Sequence, residues 1–125
     1  MRKSVVHQCG LAVAALALCV GMAVAQSPQS YTGNIMDSAC AVNGNHDAGY
    51  KLTGTHTPRA CTLACVKAGS TFVLYNADSK TTYKLDNQTM PRRFAGEDVK
   101  VTGTLDPSTE TIHVRRIVKA KPASK

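Results

Sequence analysis

Val99, Val101, Gly103 and Leu105 alternate with Lys100, Thr102 and Thr104. A period of two gives a strand one buried and one wet face, and no helix can bury such a pattern on one side. Asp106-Pro107-Ser108-Thr109 follows as a type I turn, with Pro107 preset for its second position. Beyond it Ile112 and Val114 share a face, Arg115-Arg116 interrupts, and a bulge before Ile117 would restore the register. Upstream, Thr71 to Tyr75 and Thr81 to Leu85 flank the polar turn Asn76 to Lys80, and Tyr31 to Met36 suits a first strand. The chain is therefore read as mainly β, with two hairpins preceded by a single strand.

Two segments interrupt the strands. Thr57-Pro58 opens a helix with Thr57 as N-cap and Pro58 at the first position, where its missing N–H costs nothing. Gly69 closes that helix, Lys67 sits in its last turn, and Leu63 and Val66 mark an apolar edge. Between Cys40 and this helix, Val42 to His56 reads as a long loop rich in Gly, Asn, Asp and His, a length that is usually functional or mobile. Pro91 to Ala95 is long enough for one short helix, stopped by Gly96.

The first 25 residues read as an address. Arg2 and Lys3 give a basic start, Leu11 to Ala25 an almost unbroken apolar run, and Ala23-Val24-Ala25 a small-x-small cleavage site. A run of 15 is short of the roughly 20 residues that span a bilayer, so export with cleavage before Gln26 is expected, to the periplasm or the medium. No later run is long enough to cross a membrane. Residues 26–118 are then one domain, 119–125 a basic disordered tail, and the mature protein a soluble monomer. Losing the leader leaves 13 Lys and Arg against 8 Asp and Glu. It also reduces five cysteines to three: Cys40, Cys61 and Cys65. An odd count in an oxidising compartment means one disulfide with a spare thiol, an intermolecular bridge, or a metal.

Strand, helical insert, hairpin, short helix, hairpin is the order expected of a small five-stranded barrel of the OB-fold type with an inserted Cys-bearing helix. The stretch from Ala95 to Asp106 with Thr111 to Val114 resembles the last hairpin of small exported bacterial OB-fold proteins. The fuller pattern is Gly33-x-Ile35-x-Asp37-Ser38-x-Cys40, His46, Cys61-Thr62-x-x-Cys65-Val66-Lys67-x-Gly69 and that hairpin. It resembles an exported bacterial family known only as a domain of unknown function, over about 90 of the 100 residues after the leader. The resemblance implies the fold and brings no activity.

Cys61 and Cys65 stand four apart, so both thiols lie on one helix face. With Cys40 after the first strand and His46 in the loop, all four could converge. Soft thiolates and one imidazole suit Cu(I) or Zn(II), which makes Cys40, His46, Cys61 and Cys65 a candidate metal site. The helical C-x-x-x-C with a remote His is similar to copper chaperones of the Sco type, although Val66 stands where they carry Pro, and no role is carried over. The competing reading ties Cys40 to Cys61 or Cys65 in a disulfide, closing a loop that the chain-entropy account values at about 3 kcal/mol. Thiol redox catalysis is disfavoured, since the usual active pair has two intervening residues.

His56 and His113 read as solvated. The late basic cluster, Arg92, Arg93, Arg115, Arg116, Lys119, Lys121 and Lys125, with Tyr75 and Tyr83 facing outward, matches the cationic groove and stacking rings of single-strand binders. Export argues against nucleic acid and for loose attraction to anionic envelope surfaces. No G-x-S-x-G, phosphate loop or H-E-x-x-H occurs, and Asp37, Asp47 and Asp86 form no evident acid and base pair. The sequence therefore leads to a non-enzymatic binding or structural module of the cell envelope held by a disulfide, with a periplasmic Cu(I)- or Zn(II)-binding protein as the alternative.

Overall fold

The computed structural model describes residues 26–122, so the expected leader and the last three residues of the expected tail lie outside the described residues. Five strands carry the chain: β1 (Gln29–Asp37), β2 (Phe72–Asn76), β3 (Thr81–Leu85), β4 (Asp98–Asp106) and β5 (Thr111–Lys119). They pair in the order β1-β2-β3-β5-β4 and close into a barrel. Closure works because β1 is long enough to serve two neighbours. Gln29 to Asn34 pair with β4 and Asn34 to Asp37 with β2. Every pairing is antiparallel except β3 with β5. A closed ring leaves no free edge for another chain to extend.

The expected bulge is present. Thr102 faces Arg116 and Gly103 faces Val114, which leaves Arg115 without an opposite residue. Strict alternation from Ile112 and Val114 would carry Arg116 into the core; the extra residue turns Ile117 inward instead, where it is 3% exposed. Gly103 makes this crossing feasible, because a Cβ there would stand 2.3 Å from the His113 carbonyl oxygen.

β1 and β2 bury both faces. Ile35 and its register partner Leu74 point into the barrel, joining Phe72, Leu85, Phe94, Val99, Val101, Ile112 and Ile117. One residue along, Met36 and its partner Val73 point outward, into a second buried cluster with Cys40, Ala41 and Cys61. Period two on a pleated sheet dictates this split, and it accounts for the unbroken apolar run Phe72-Val73-Leu74.

Three helices cover that outer face: α1 (Ser38–Ala41), α2 (Asp47–Thr53) and α3 (Pro58–Lys67). The ends of α3 are as expected. The Thr57 hydroxyl accepts from the Ala60 N–H, and Gly69 follows with φ 119°. Its partly buried Leu63 and Val66 pack on the barrel core. The segment Val42 to His56 departs from the expected loop, since it contains α2. Asp47 in the first turn and Lys51 in the last suit the helix dipole, and Gly54, at φ 68°, ends the helix by donating to the Tyr50 carbonyl. Seven residues with a single buried position carry too little apolar periodicity to be legible in sequence. The short helix before β4 is a 3-10 helix, Met90–Phe94. β5 extends to Lys119, and the Ala120 N–H donates to the Asp98 carbonyl.

Candidate metal centre

α1 and α3 bring three thiols to the outer face of β1 and β2, and α2 lies over them. Asp37, the last residue of β1, N-caps α1: its Oδ1 accepts from the N–H groups of Ala39 and Cys40 at 3.1 and 2.9 Å. That cap points the Cys40 side chain back under the insert, where it is buried. α3 supplies Cys61, fully buried, and one turn later the half-buried Cys65. The thiols are free, and the disulfide expected from the odd cysteine count is not formed. Cys40 Sγ and Cys61 Sγ stand 4.0 Å apart.

Of the four residues singled out in sequence, the three cysteines form one triad and His46 joins Cys40 and Asp37 in a second that overlaps it. The sulfurs of Cys40, Cys61 and Cys65 lie within 4.8 Å of one another, and donor atoms of Asp37, Cys40 and His46 meet the same limit. Cys40 belongs to both. Asp37 is the member that sequence reasoning did not place in the site. Its only signal was its position one residue before Ser38-x-Cys40, and the helix it caps spans a single turn.

α2 roofs the cluster through Gly49. A Cβ at that position would stand 2.5 Å from Cys61 Sγ, 2.8 Å from Cys40 Sγ and 3.8 Å from Cys65 Sγ, so no larger residue fits over the sulfurs. His46, immediately before α2, stacks on Tyr50 with ring centroids 5.7 Å apart.

Two polar atoms at this site have no hydrogen-bond partner: Asp37 Oδ2, on a fully buried side chain, and His46 Nδ1. A buried carboxylate oxygen without a partner is costly, and a cation beside it removes the cost. Burial pushes the Cys40 thiol far above its ordinary range, with the adjacent Asp37 carboxylate and Cys61 acting in the same direction. Burial likewise raises Cys65, again with Asp37 contributing. Burial lowers His46, outweighing the opposing charges of Asp37 and Asp47. Thiols raised in this way are poor nucleophiles at neutral pH; a metal ion has to displace the protons of Cys40 and Cys65 to bind, while the lowering of His46 favours the neutral imidazole that coordinates.

The remaining candidates lie elsewhere. His56 is exposed and in neither triad. His113 pairs with Asp86 at 3.1 Å on the barrel surface. Tyr75 and Tyr83, expected to face outward, are both partly buried. Tyr75 packs on the thiol cluster's apolar surroundings, and Tyr83 packs on the barrel core with its ring 5.4 Å from that of Tyr31.

The class defined by fold and site is thus a five-stranded β-barrel carrying a helical insert with a buried, thiol-rich candidate metal centre. A family described as "Protein of unknown function (DUF5818)" matches residues 66–120, from the end of α3 through β5. The matched stretch covers the hairpins and begins immediately after Cys65, so the likeness expected across the cysteine motifs is found for the barrel portion alone. No curated protein and no solved structure matches the chain. No described helix is long and apolar enough to cross a membrane.

Proposed function

We propose that this chain is an exported metal-binding module of the cell envelope, with an OB-fold barrel as scaffold and Cys40, Cys61 and Cys65 as its principal ligands. The observation that carries the reading is the mutual approach of three free sulfurs beneath Gly49. Tetrahedral Zn(II) with Zn–S bonds near 2.3 Å sets its sulfurs about 3.8 Å apart, close to the 4.0 Å between Cys40 and Cys61. Three thiolates with His46 suit Zn(II), and the same soft donors suit Cu(I). His46 approaches through Cys40 and Asp37, as a fourth ligand or as the group that meets an incoming ion. The barrel reading rests on the strand order, the parallel pairing of β3 with β5, and the 3-10 helix placed between β3 and β4.

The test is metal titration of the protein with its thiols reduced. Zn(II) is expected to bind at one ion per chain with a sub-micromolar Kd, and Co(II) to give the ultraviolet sulfur-to-metal charge-transfer band. Cys61→Ser should weaken Zn(II) about 100-fold or more, and His46→Ala about tenfold. Failure to bind Zn(II) or Cu(I) more tightly than micromolar overturns the proposal.

The 4.0 Å approach favours one second reading, a Cys40 to Cys61 bridge in the oxidising compartment rather than Cys40 to Cys65. Intact mass without reductant separates the two. Protein from the periplasm that is two hydrogens light and carries no ion supports the bridge. A metal adduct in the native spectrum, with three reduced thiols after denaturation, supports the metal.

A further inference from the structure

The bulge in β5 does more than return Ile117 to the core. Consecutive strand residues ordinarily point to opposite faces, yet Arg115 and Arg116 are both exposed and both line one cleft of about 540 Å³ between β5 and the 3-10 helix. Arg93 enters from the helix side, its guanidinium carbon 4.8 Å from the centre of the Phe94 ring. Its carbonyl accepts from Arg59 Nη1 at 3.0 Å, which tethers the helix end. The partly exposed Met90 and Val118 contribute the apolar part of the lining, and Ile117, buried in the core, closes its floor.

No Asp or Glu lines the cleft, and among the described residues none of these three arginines forms an ion pair. Three unneutralised guanidiniums around one concavity repel each other, and an anion removes that repulsion. Guanidinium presents paired N–H donors that match the oxygens of phosphate or carboxylate.

We infer that this cleft binds a phosphate monoester or diester, with Arg115 and Arg116 holding the oxyanion from β5, Arg93 closing from the helix, and the partly exposed Met90 and Val118 receiving the organic portion. The site is separate from the thiol cluster and does not depend on its occupancy. The bulge is what builds it: without the extra residue, Arg116 would face the core and the cleft would hold a single strand arginine.

The test is titration of isotope-labelled protein with inorganic phosphate at low ionic strength, followed by amide NMR. Saturable shifts are expected at Met90, Arg93, Arg115, Arg116 and Ile117. Arg115→Gln and Arg93→Gln should each weaken phosphate about tenfold, while Lys84→Gln, on the exposed face of β3, leaves it unchanged. Because Arg93 lies outside the sheet, its variant keeps the test valid if changes at the bulge disturb β5. Shifts that never saturate, or an equal loss in Lys84→Gln, overturn the inference by reducing it to diffuse charge attraction. Flotation with phosphatidylglycerol-containing phosphatidylcholine vesicles identifies the source of the phosphate. Flotation that needs Arg115 and is competed by phosphate supports a lipid headgroup, and phosphate binding without flotation supports a soluble phosphorylated solute.

Discussion

Gly49→Ala tests the packing of the thiol cluster directly. In an ordinary helix interior this change stabilises, by roughly 1 kcal/mol of helix propensity. Here the added methyl would stand 2.5 and 2.8 Å from the sulfurs of Cys61 and Cys40, where ordinary contact needs about 3.5–4.0 Å. An overlap of about 1 Å against two buried side chains on different helices cannot be relieved by one rotamer change; α2 has to lift from α1 and α3. Overpacking of this kind costs about 1–3 kcal/mol, so the propensity gain is outweighed and a net loss of about 1 kcal/mol is expected. For a domain of this size that lowers Tm by about 4–8 °C. The same displacement spreads the sulfurs, and Zn(II) affinity should fall about tenfold. Ala48→Gly is the control: Ala48 is exposed on the same helix, so the change costs about 0.5–1 kcal/mol and leaves metal binding intact. Thermal melts and Zn(II) competition on the two variants decide the matter. If Gly49→Ala melts at or above the parent and binds Zn(II) equally well, the account of Gly49 as the roof over three sulfurs is wrong.

Two further outcomes follow from the barrel. A Cβ at Gly103 would meet the His113 carbonyl oxygen at 2.3 Å and a methyl carbon of Ile112 at 2.8 Å, so Gly103→Ala should destabilise by about 2–3 kcal/mol; a chemical-denaturation midpoint equal to the parent's would contradict it. Asp86 accepts from the Val114 N–H at 2.8 Å and pairs with His113. Burial alone raises its carboxyl, but the Val114 N–H and His113 outweigh this and hold it below its ordinary value. A carboxylate lowered in the folded state contributes stability above its unfolded value, near 4, and loses it as the pH falls through the folded one. With 41% of the Asp86 side chain exposed, solvent screening limits that contribution to about 0.5 kcal/mol. Asp86→Asn should therefore melt slightly below the parent at pH 7 and converge with it below pH 3, and a gap that persists in acid would show that charge is not the cause.

Much of the barrel was legible because its signals are local. The alternation in β4, the turn at Asp106-Pro107 and the interruption at Arg115-Arg116 are each resolved within a few residues, as are the Thr57 cap and Gly69. The site was legible only as residue types. That Cys61 and Cys65 share a face follows from helical period, but where Cys40 and His46 meet them depends on three short helices folding over β1 and β2. α2 and α1 are held by tertiary burial rather than by their own propensity, so neither declared itself. Asp37 entered the site through a cap on a one-turn helix, and the partial burial of Tyr75 and Tyr83 depended on neighbours distant in sequence.

The sequence by itself determined the mainly β class, the strand boundaries to within a few residues, the α3 helix and the need for a bulge before Ile117, because backbone propensity and side-chain period act over short stretches of chain. Tertiary structure alone decided that β1 pairs on both sides to close the ring, that Gly49 roofs three free thiols, and that two successive arginines line one cleft with Arg93. Those outcomes join residues tens of positions apart, and only the register of the folded barrel specifies such distances.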